Sequence, residues 1–363
     1  MDDKPQFPAD KVDARAAAQA IAFGPLIFQA ARSLQAKGVL RFLLQTAKGA
    51  TDEEVAVATD VSLYAARVLL EAGLVAGIVE LEQDRYTITL VGRMLQRDRM
   101  TRVNMDFVHD VCFKPAFHLD ESLEQGRPVG LQELGGDWPT VYEGLRECSD
   151  QVRKSWFAFD HYYSDASYRE ALDIVFATKP RRILDVGGNT GRFALECCRR
   201  DSQVEVVIMD LPGQLRDAAL AVSEAGESER VHMHEGNLLD VNVPLPTGVD
   251  AIWMSQFLDC FSEPEILGIL KRARRAIGDE GTLYIMETLW DRQPNDTARY
   301  CVVATSLYFA AVANGNSKMY HSKRLIALAE EAGFSVARMV DGLGLGHTLL
   351  LCTPTDAQPA QDG

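Results

Sequence analysis

No Cys-x-x-Cys pair occurs in this 363-residue chain, and its seven cysteines (Cys112, Cys148, Cys197, Cys198, Cys260, Cys301 and Cys352) form no even framework. That excludes a redox dithiol motif and a disulfide scaffold, and it predicts reduced thiols. Long apolar runs are also missing. The longest mainly apolar stretch, Ala16 to Ala31, is broken by Gln19, Gly24-Pro25 and Gln29, whereas a membrane span needs about 20 apolar residues. The start, Met1-Asp2-Asp3-Lys4, lacks the basic-then-apolar order of a secretory signal. Cytoplasmic residence without membrane attachment is the expectation. Positive charge is scarce: 37 Lys+Arg stand against 52 Asp+Glu, a formal net charge of −15, which argues against nucleic acid as the main partner. A hydrophobic fraction of 47% is that of a folded chain, and the length suggests two or three domains.

The first hundred residues read as mostly helical. An Ala-rich helical pattern covers Asp13 to Gln35 and resumes from Val39 to Gln45. Thr51, with Glu54 three residues on, predicts a capping box before two short helices, Glu53–Thr59 and Ser62–Glu71. Ile78–Leu81 and Tyr86–Leu90 read as the two strands of a wing, which makes residues 1–104 a winged-helix domain. Such a shape can bind DNA, but Thr51–Met100 holds nine acids against five Lys/Arg, and the recognition-helix position carries a single base, Arg67. Without clustered cations to neutralise phosphates, a dimerisation or substrate-lid role is expected instead.

Residues 105–175 read as helical, aromatic-rich and suited to lining a substrate pocket, with Phe107, Phe113 and Phe117 on its apolar side. From 176 to 355 the pattern changes to short β-branched runs alternating with helices: Arg182–Val186, Val204–Met209, Val231–His234, Val249–Met254 and Thr282–Met286. Alternation of that kind predicts an α/β domain with a parallel sheet covered on both faces. Two further apolar runs, Ser335–Val340 and Thr348–Cys352, precede a polar tail at 356–363.

Chemistry concentrates in Ile183-Leu-Asp-Val-Gly-Gly-Asn-Thr-Gly191, a buried strand running into a glycine-rich turn that opens a helix. Gly187, Gly188 and Gly191 permit a ligand close to the backbone. Asp210 follows nineteen residues after Gly191 at the end of the next strand, where a carboxylate accepts both hydroxyls of a ribose. A dinucleotide fingerprint requires a glycine where Asn189 stands, and Asp185 just before the turn would repel a pyrophosphate. It suits the ammonium of a methionine moiety, so S-adenosylmethionine fits better than NAD. His109-x-x-Cys112, His118 and His232-x-His234 lack a second ligand pair at zinc-like spacing, so no metal is expected.

Asp185-Val-Gly-Gly-Asn-Thr-Gly191, Met209-Asp-Leu-Pro212, Gly236-Asn-Leu-Leu239 and Ala332-Gly-Phe334, in that order and spacing, resemble the motifs of the dimeric small-molecule O-methyltransferases. The caffeate and acetylserotonin enzymes and many bacterial natural-product enzymes of secondary metabolism belong to that group. The resemblance covers roughly residues 15–353 and implies a Rossmann-like methyltransferase domain behind an N-terminal winged-helix dimerisation domain, working as a homodimer. It implies cofactor contacts at Gly187, Asp210 and the neighbouring Leu211, and at Asn237 and Leu238 on the adenine side. Ser255 and Gln256 fall where the family often places Lys or Arg. Family members usually carry Asp at the position of Asn237, and an amide still hydrogen-bonds an adenosine group.

The catalytic segment departs further. The family pattern Leu-His-Asp-Trp, with His as general base, is matched by Leu258-Asp-Cys-Phe261, which puts Asp259 at the base position. Glu287 matches the first supporting Glu, and the second falls on Met319. Asp259 is read either as a base with a pKa raised by burial or as a cap for the helix starting near Ser262. His161 is either a compensating base or a packing residue among Trp156, Phe159, Tyr162 and Tyr163, aromatics that would wall the methyl-donor and substrate site. Asn314 and Asn316 either orient a polar substrate or simply form the turn, Tyr320 is a candidate substrate contact, and Tyr320-His321 offers a further candidate base. The expected activity is methyl transfer from S-adenosylmethionine, leaving S-adenosylhomocysteine, to a small phenolic or polyketide-like acceptor. Oxygen is the default target, with carbon ortho to a phenol, or a silent cofactor-binding relative, as alternatives.

Overall fold

A computed structural model describes residues 11–355, so the acidic start at 1–4 and the polar tail at 356–363 lie outside the described residues. The chain forms two compact units that divide between Val108 and His109.

In the first unit, helix Lys11–Ala36 is followed by helices Val39–Gln45, Asp52–Thr59 and Leu63–Val75 and a two-stranded wing, β1 (Val79–Glu82) and β2 (Arg85–Ile88). The capping box forms as expected: Glu54 N–H donates to Thr51 Oγ1 (3.2 Å), and Thr51 N–H donates to Glu54 Oε2 (3.0 Å). Gln83 and Asp84 both take left-handed backbone conformations in the tight hairpin turn (φ 48° and 58°). The second strand stops at Ile88 instead of Leu90, because Thr89 Oγ1 accepts the Gly92 N–H and caps a helix at Leu90–Arg97 that periodicity did not suggest. Leu34, Leu40, Leu43, Val55, Leu70 and Ile88 pack into this unit's core. Arg67, the one base on helix Leu63–Val75, is held by Asp52 (2.5 Å) and Glu53 (3.3 Å), so it is not presented to a phosphate.

The second unit is built on a seven-stranded sheet of β3 (Arg182–Val186), β4 (Glu205–Asp210), β5 (Val231–Glu235), β6 (Ala251–Ser255), β7 (Thr282–Glu287), β8 (Phe334–Leu343) and β9 (His347–Pro354), in the order β5-β4-β3-β6-β7-β9-β8. The first five strands are parallel, whereas β9 pairs antiparallel with both β7 and β8. The sheet is therefore mixed rather than wholly parallel. A three-residue link, Gly344–Gly346, joins β8 to β9, and so short a link leaves no room for the crossover a parallel pair needs. Successive residues of a strand face opposite sides. Leu184 and Ile252 enter one apolar layer with Ile266 and Leu270. Ile183 and Trp253 enter the other, where Phe193 stacks on Trp253 at 4.2 Å and 4°. Burial on both faces makes these strands continuous apolar runs. Among the described residues no helix is long and apolar enough to cross a membrane.

Candidate active site

The C-terminal ends of β3, β4, β6 and β7 carry the expected site residues to one edge of the sheet, where α/β folds bind ligands. At the end of β3 the chain turns through Gly187 (φ 74°), Gly188, Asn189 (φ 49°) and Gly191 (φ 76°) into helix Arg192–Arg200. A Cβ on Gly187 would lie 2.3 Å from the Phe257 ring, and one on Gly188 would lie 2.7 Å from both Asp185 Oδ2 and Ile208. Asn189 replaces a glycine here at little cost, because asparagine tolerates the left-handed region. Its N–H donates to Asp210 Oδ2 (2.9 Å), while Leu211 N–H donates to Asp210 Oδ1 (2.7 Å). Asp210 is thereby fixed with lone pairs to spare, and burial still raises its pKa.

Asp185 is 2% exposed, and its Oδ2 has no hydrogen-bond partner among the described residues. Burial, reinforced by Asp210, pushes its pKa up to about 8. The Ser255 hydroxyl at the end of β6 is likewise buried and unpartnered among the described residues. Gln256 sits at φ 47°, and its Oε1 lies 2.8 Å from Nε2 of His347, a fully buried ring whose pKa falls to about 4 by desolvation. In the loop after β5, Asn237 Oδ1 accepts the Leu239 N–H (3.0 Å). Arg272, buried on helix Glu263–Ala276, donates to the carbonyls of Leu238 (2.6 Å), Asp240 (2.8 Å) and Val243 (3.0 Å), holding that loop from beneath.

Beyond β6 the chain makes a tight turn, Phe257 to Phe261, clamped from several elements. Glu287 Oε1 accepts the N–H groups of Phe257 (3.1 Å) and Leu258 (2.8 Å), while Oε2 is buried without a partner among the described residues. Asn314 donates its side-chain amide to the Cys260 carbonyl, and Tyr320 donates its hydroxyl to the Phe261 carbonyl (2.6 Å). Tyr142 Oη donates to Cys260 Sγ (2.9 Å), and that thiol faces Asp259 Oδ1 at 3.4 Å. Asp259 is 5% exposed, and burial pushes its pKa up to about 6 against the lowering effect of the thiol. Glu287 is raised well above the usual range by burial and by Asp259's charge.

The reading of Asp259 as a helix cap is corrected here. Helix Glu263–Ala276 is served by Ser262, whose N–H and hydroxyl both donate to Glu265 Oε2 (2.7 and 2.6 Å). Met319, in place of the second supporting Glu, accepts from the Thr288 hydroxyl through its sulfur (3.5 Å).

Helix Asp150–Val175 supplies the aromatic wall. Trp156 meets Tyr142 edge-on (6.4 Å, 77°) and donates Nε1–H to Tyr308 Oη (2.7 Å). Phe159 lies against Tyr163 (5.0 Å), which meets Tyr162 edge-on (5.4 Å). His161 stacks on Phe157 (5.8 Å, 19°) with Nδ1 3.6 Å from Asp160 Oδ2, and burial lowers its pKa. Asn316 is exposed and turns toward Glu265 (3.5 Å), so Asn314 is the amide that reaches the Phe257–Phe261 turn. Phe117 is 83% exposed and lines no apolar pocket of this chain, contrary to expectation. His109 pairs with Asp110 (2.6 Å) and His118 with Glu133 (3.2 Å). Among the described residues no group of three His, Cys, Asp or Glu side chains could hold a metal ion.

Sequence reasoning overlooked Asp160, Tyr142, Tyr308, Arg272 and His347. Only Asp160 carried a signal, standing four residues after Trp156 and hence on the same helical face.

A glycine-rich turn after the first strand, an acid closing the second and a mixed sheet ending in an antiparallel hairpin define a Rossmann-like methyltransferase. A family model described as an O-methyltransferase domain matches residues 146–335, and a Dimerisation2-like domain matches residues 15–86. The chain belongs to the O-methyltransferase domain family and is an S-adenosylmethionine-dependent methyltransferase. It is similar to the L-tyrosine C(3)-methyltransferase of Streptomyces lavendulae, at 23% identity over 81% of this chain and 80% of that one. The O-demethylpuromycin-O-methyltransferase of Streptomyces alboniger is 25% identical over 80% and 77%. Among solved structures, the apo form of the S-adenosylmethionine-dependent methyltransferase SibL superposes with a TM-score of 0.70 at 23% identity, covering 94% of this chain and 99% of that one.

Proposed function

We propose that the enzyme methylates a small phenolic or polyketide-like acceptor and that Asp259 receives the acceptor's proton. The observation that carries this reading is the buried Asp259 carboxylate, fixed in a clamped turn at the sheet's ligand-binding edge and raised toward neutrality. The cofactor supplies an electrophilic methyl group on a sulfonium. The chain fits that ligand: Asp185 Oδ2 and the Ser255 hydroxyl are buried polar atoms awaiting partners, and Gly187 and Gly188 leave space no side chain could share. Asp210 would take the ribose hydroxyls, Asn237 and Leu238 the adenine side, and Gln256 a polar end of the ligand. Trp156, Phe159, Tyr162 and Tyr163 would wall the acceptor, and Glu287 acts through the Phe257–Leu258 backbone as a positioning residue.

Alignment of the acceptor with the methyl group supplies much of the rate in a one-step displacement. A base adds about 10²–10⁴-fold for a phenol with a pKa near ~10. Oxygen is the default target. Carbon ortho to a phenol is the second reading, supported by the tyrosine C(3)-methylating relative and by the missing His, because a ring proton can leave after transfer. His161, turned toward Asp160 and Phe157, is the weaker candidate for the base.

We also propose a cytoplasmic homodimer with no nucleic-acid or membrane partner. Helix Lys11–Ala36 exposes Ile21 (79%), Phe23 (55%) and Leu26 (67%) amid alanines, an apolar surface that a second copy would cover. The deciding experiment is calorimetric titration with S-adenosylhomocysteine and with NAD, on wild type and on Asp210→Ala. Micromolar binding of the former, lost in the variant and absent for NAD, is expected. Tight NAD binding would overturn the cofactor assignment, and turnover on a phenol panel unaffected by Asp259→Asn would overturn the base.

A further inference from the structure

Asp160 is a carboxylate at this edge that neither the motifs nor the proposed chemistry uses. It projects from helix Asp150–Val175 and accepts a single hydrogen bond within 3.5 Å, from Asn189 Nδ2 at 3.1 Å. Its side chain keeps 24% of its exposure. Arg192, the cation that bears on it, is already engaged by Asp165. His161 Nδ1 stands 3.6 Å away, and Asp165 and Asp259 add like charge. A half-buried carboxylate with one neutral donor and acids for neighbours is costly unless a cation or a proton reaches it.

Its position says which cation. Asp185 Oδ2 lies against the Cβ position of Gly188, and Asp160 Oδ2 accepts from the Asn189 side chain, so two carboxylates meet consecutive residues of the glycine-rich turn, one from the sheet and one from the helix. Burial raises the Tyr168 phenol first, and Asp160 and Asp185 both add to that rise, so the two acids lie within electrostatic range of one hydroxyl. Asp210 holds Asn189 by its backbone N–H, while Asp160 holds it by its side chain. The turn is thus anchored through Asn189 by Asp210 on one side and by Asp160 on the other.

Building on the cofactor reading above, we propose that Asp160 is a further cofactor-binding residue, which with Asp185 receives the α-ammonium of the amino-acid end of S-adenosylmethionine and S-adenosylhomocysteine. Asn189 aims the Asp160 carboxylate by donating to one oxygen and leaving the other for the ligand. The alternative role is purely structural, with Asp160 serving only to pin Asn189.

The two roles separate by ligand truncation. S-Adenosylhomocysteine carries the ammonium, and 5′-methylthioadenosine has the same adenosine and thioether without it. Asp160→Asn keeps an acceptor for Asn189 and removes the charge. Binding of each ligand is measured by calorimetry on the full-length protein, with methylthioadenosine also read by displacement of S-adenosylhomocysteine. Loss of a charge-assisted bond predicts about a ten- to hundred-fold weaker Kd for S-adenosylhomocysteine. Methylthioadenosine should bind as to wild type, and Asp160→Glu should restore part of the loss. Equal weakening of both ligands, or no change in either, overturns the proposal. Failure of wild type to bind S-adenosylhomocysteine would instead overturn the cofactor reading on which it rests. Asp210→Ala, which weakens both ligands, marks the adenosine end.

Discussion

Asp185→Asn should make the unliganded protein more stable while removing its hold on the cofactor, by an amount that grows with pH. Burial first, and then the charge of Asp210, pushes the native carboxyl up to about 8 from its ordinary 3.8. A raised native pKa means that the folded state binds the proton more tightly than the unfolded chain. Asp185 therefore contributes its full stability below about pH 4 and loses it progressively as pH climbs toward 8. At ~1.4 kcal/mol per unit the complete shift corresponds to roughly 5 kcal/mol, and solvent reaching the glycine-rich turn leaves at least ~2 kcal/mol. An asparagine amide fills the same volume and cannot ionise. For a unit of this size ~2 kcal/mol is worth roughly 4–8 °C in Tm.

Thermal melts of wild type and variant at about pH 5 and about pH 8 isolate the effect, since Asp160, Asp210, Asp259 and Glu287 titrate in both proteins and largely cancel in the difference. The Tm gap should widen from pH 5 to pH 8 in the variant's favour. Adding S-adenosylhomocysteine should raise the wild-type Tm by mass action and leave the variant unmoved. A gap that is constant with pH, or a variant less stable at pH 8, would refute the argument that this carboxylate is held strained for a cationic ligand.

Three more outcomes follow from the same geometry. Gly187→Ala puts a Cβ 2.3 Å from the Phe257 ring at φ 74°. It should weaken S-adenosylhomocysteine binding at least about ten-fold in calorimetry, through strain of order 1–3 kcal/mol, with Phe257→Leu recovering part of the loss. Arg272→Met should lower the urea midpoint by an amount equivalent to roughly 3 kcal/mol, because three carbonyls lose a charged donor, and should loosen the Asn237–Leu238 segment enough to reduce cofactor affinity. Once an acceptor is found, kcat/KM should rise with pH through about 6 as Asp259 ionises. Cys260→Ala, which removes a group holding that carboxylate down, should move the limb upward, and Cys260→Ser should return it; a limb indifferent to all three variants, including Asp259→Asn, would discard Asp259 as the base.

Much of this arrangement was legible because it is local. Strand Arg182–Val186 was read to the residue, since a strand buried on both faces is a continuous apolar run, and the turn after it announces itself by glycine spacing. The capping box at Thr51 and Glu54 was equally local. What escaped was long-range. Arg272 looks like any surface arginine until the fold brings Leu238 and Val243 over it. Tyr142 lies 118 residues from the Cys260 thiol it meets. Leu90 read as strand because an apolar residue after Tyr86-Thr-Ile88 fits alternation, whereas Thr89 caps a helix there. Asp259 as a cap was excluded only when Ser262 and Glu265 were seen to satisfy the helix by themselves.

The acids at the sheet edge have a common logic. Asp160, Asp185, Asp210 and Asp259 are each raised by burial first, and Glu287 likewise. Arg192, the cation that bears on Asp160, is held by Asp165. Such a cluster favours whatever brings positive charge to it. Asp185 and Asp160 are placed to meet a ligand ammonium, and the whole ring favours a sulfonium over a thioether. Methyl transfer removes the sulfonium charge and frees one proton from the acceptor. Asp259, poised near neutrality beside a Glu287 that is already raised, is positioned to take that proton. The carboxylates and cofactor together then keep their total charge, the fixed sulfonium cation being exchanged for a titratable proton on Asp259. That exchange weakens the hold on the spent, neutral ligand and lets water reset Asp259. On the proposed role of Asp259, it gives a physical reason for a carboxylate to stand where the family resemblance implies an imidazole: a histidine made cationic by the same proton would be retained by these acids, whereas a protonated Asp259 is neutral and is deprotonated again near pH 6.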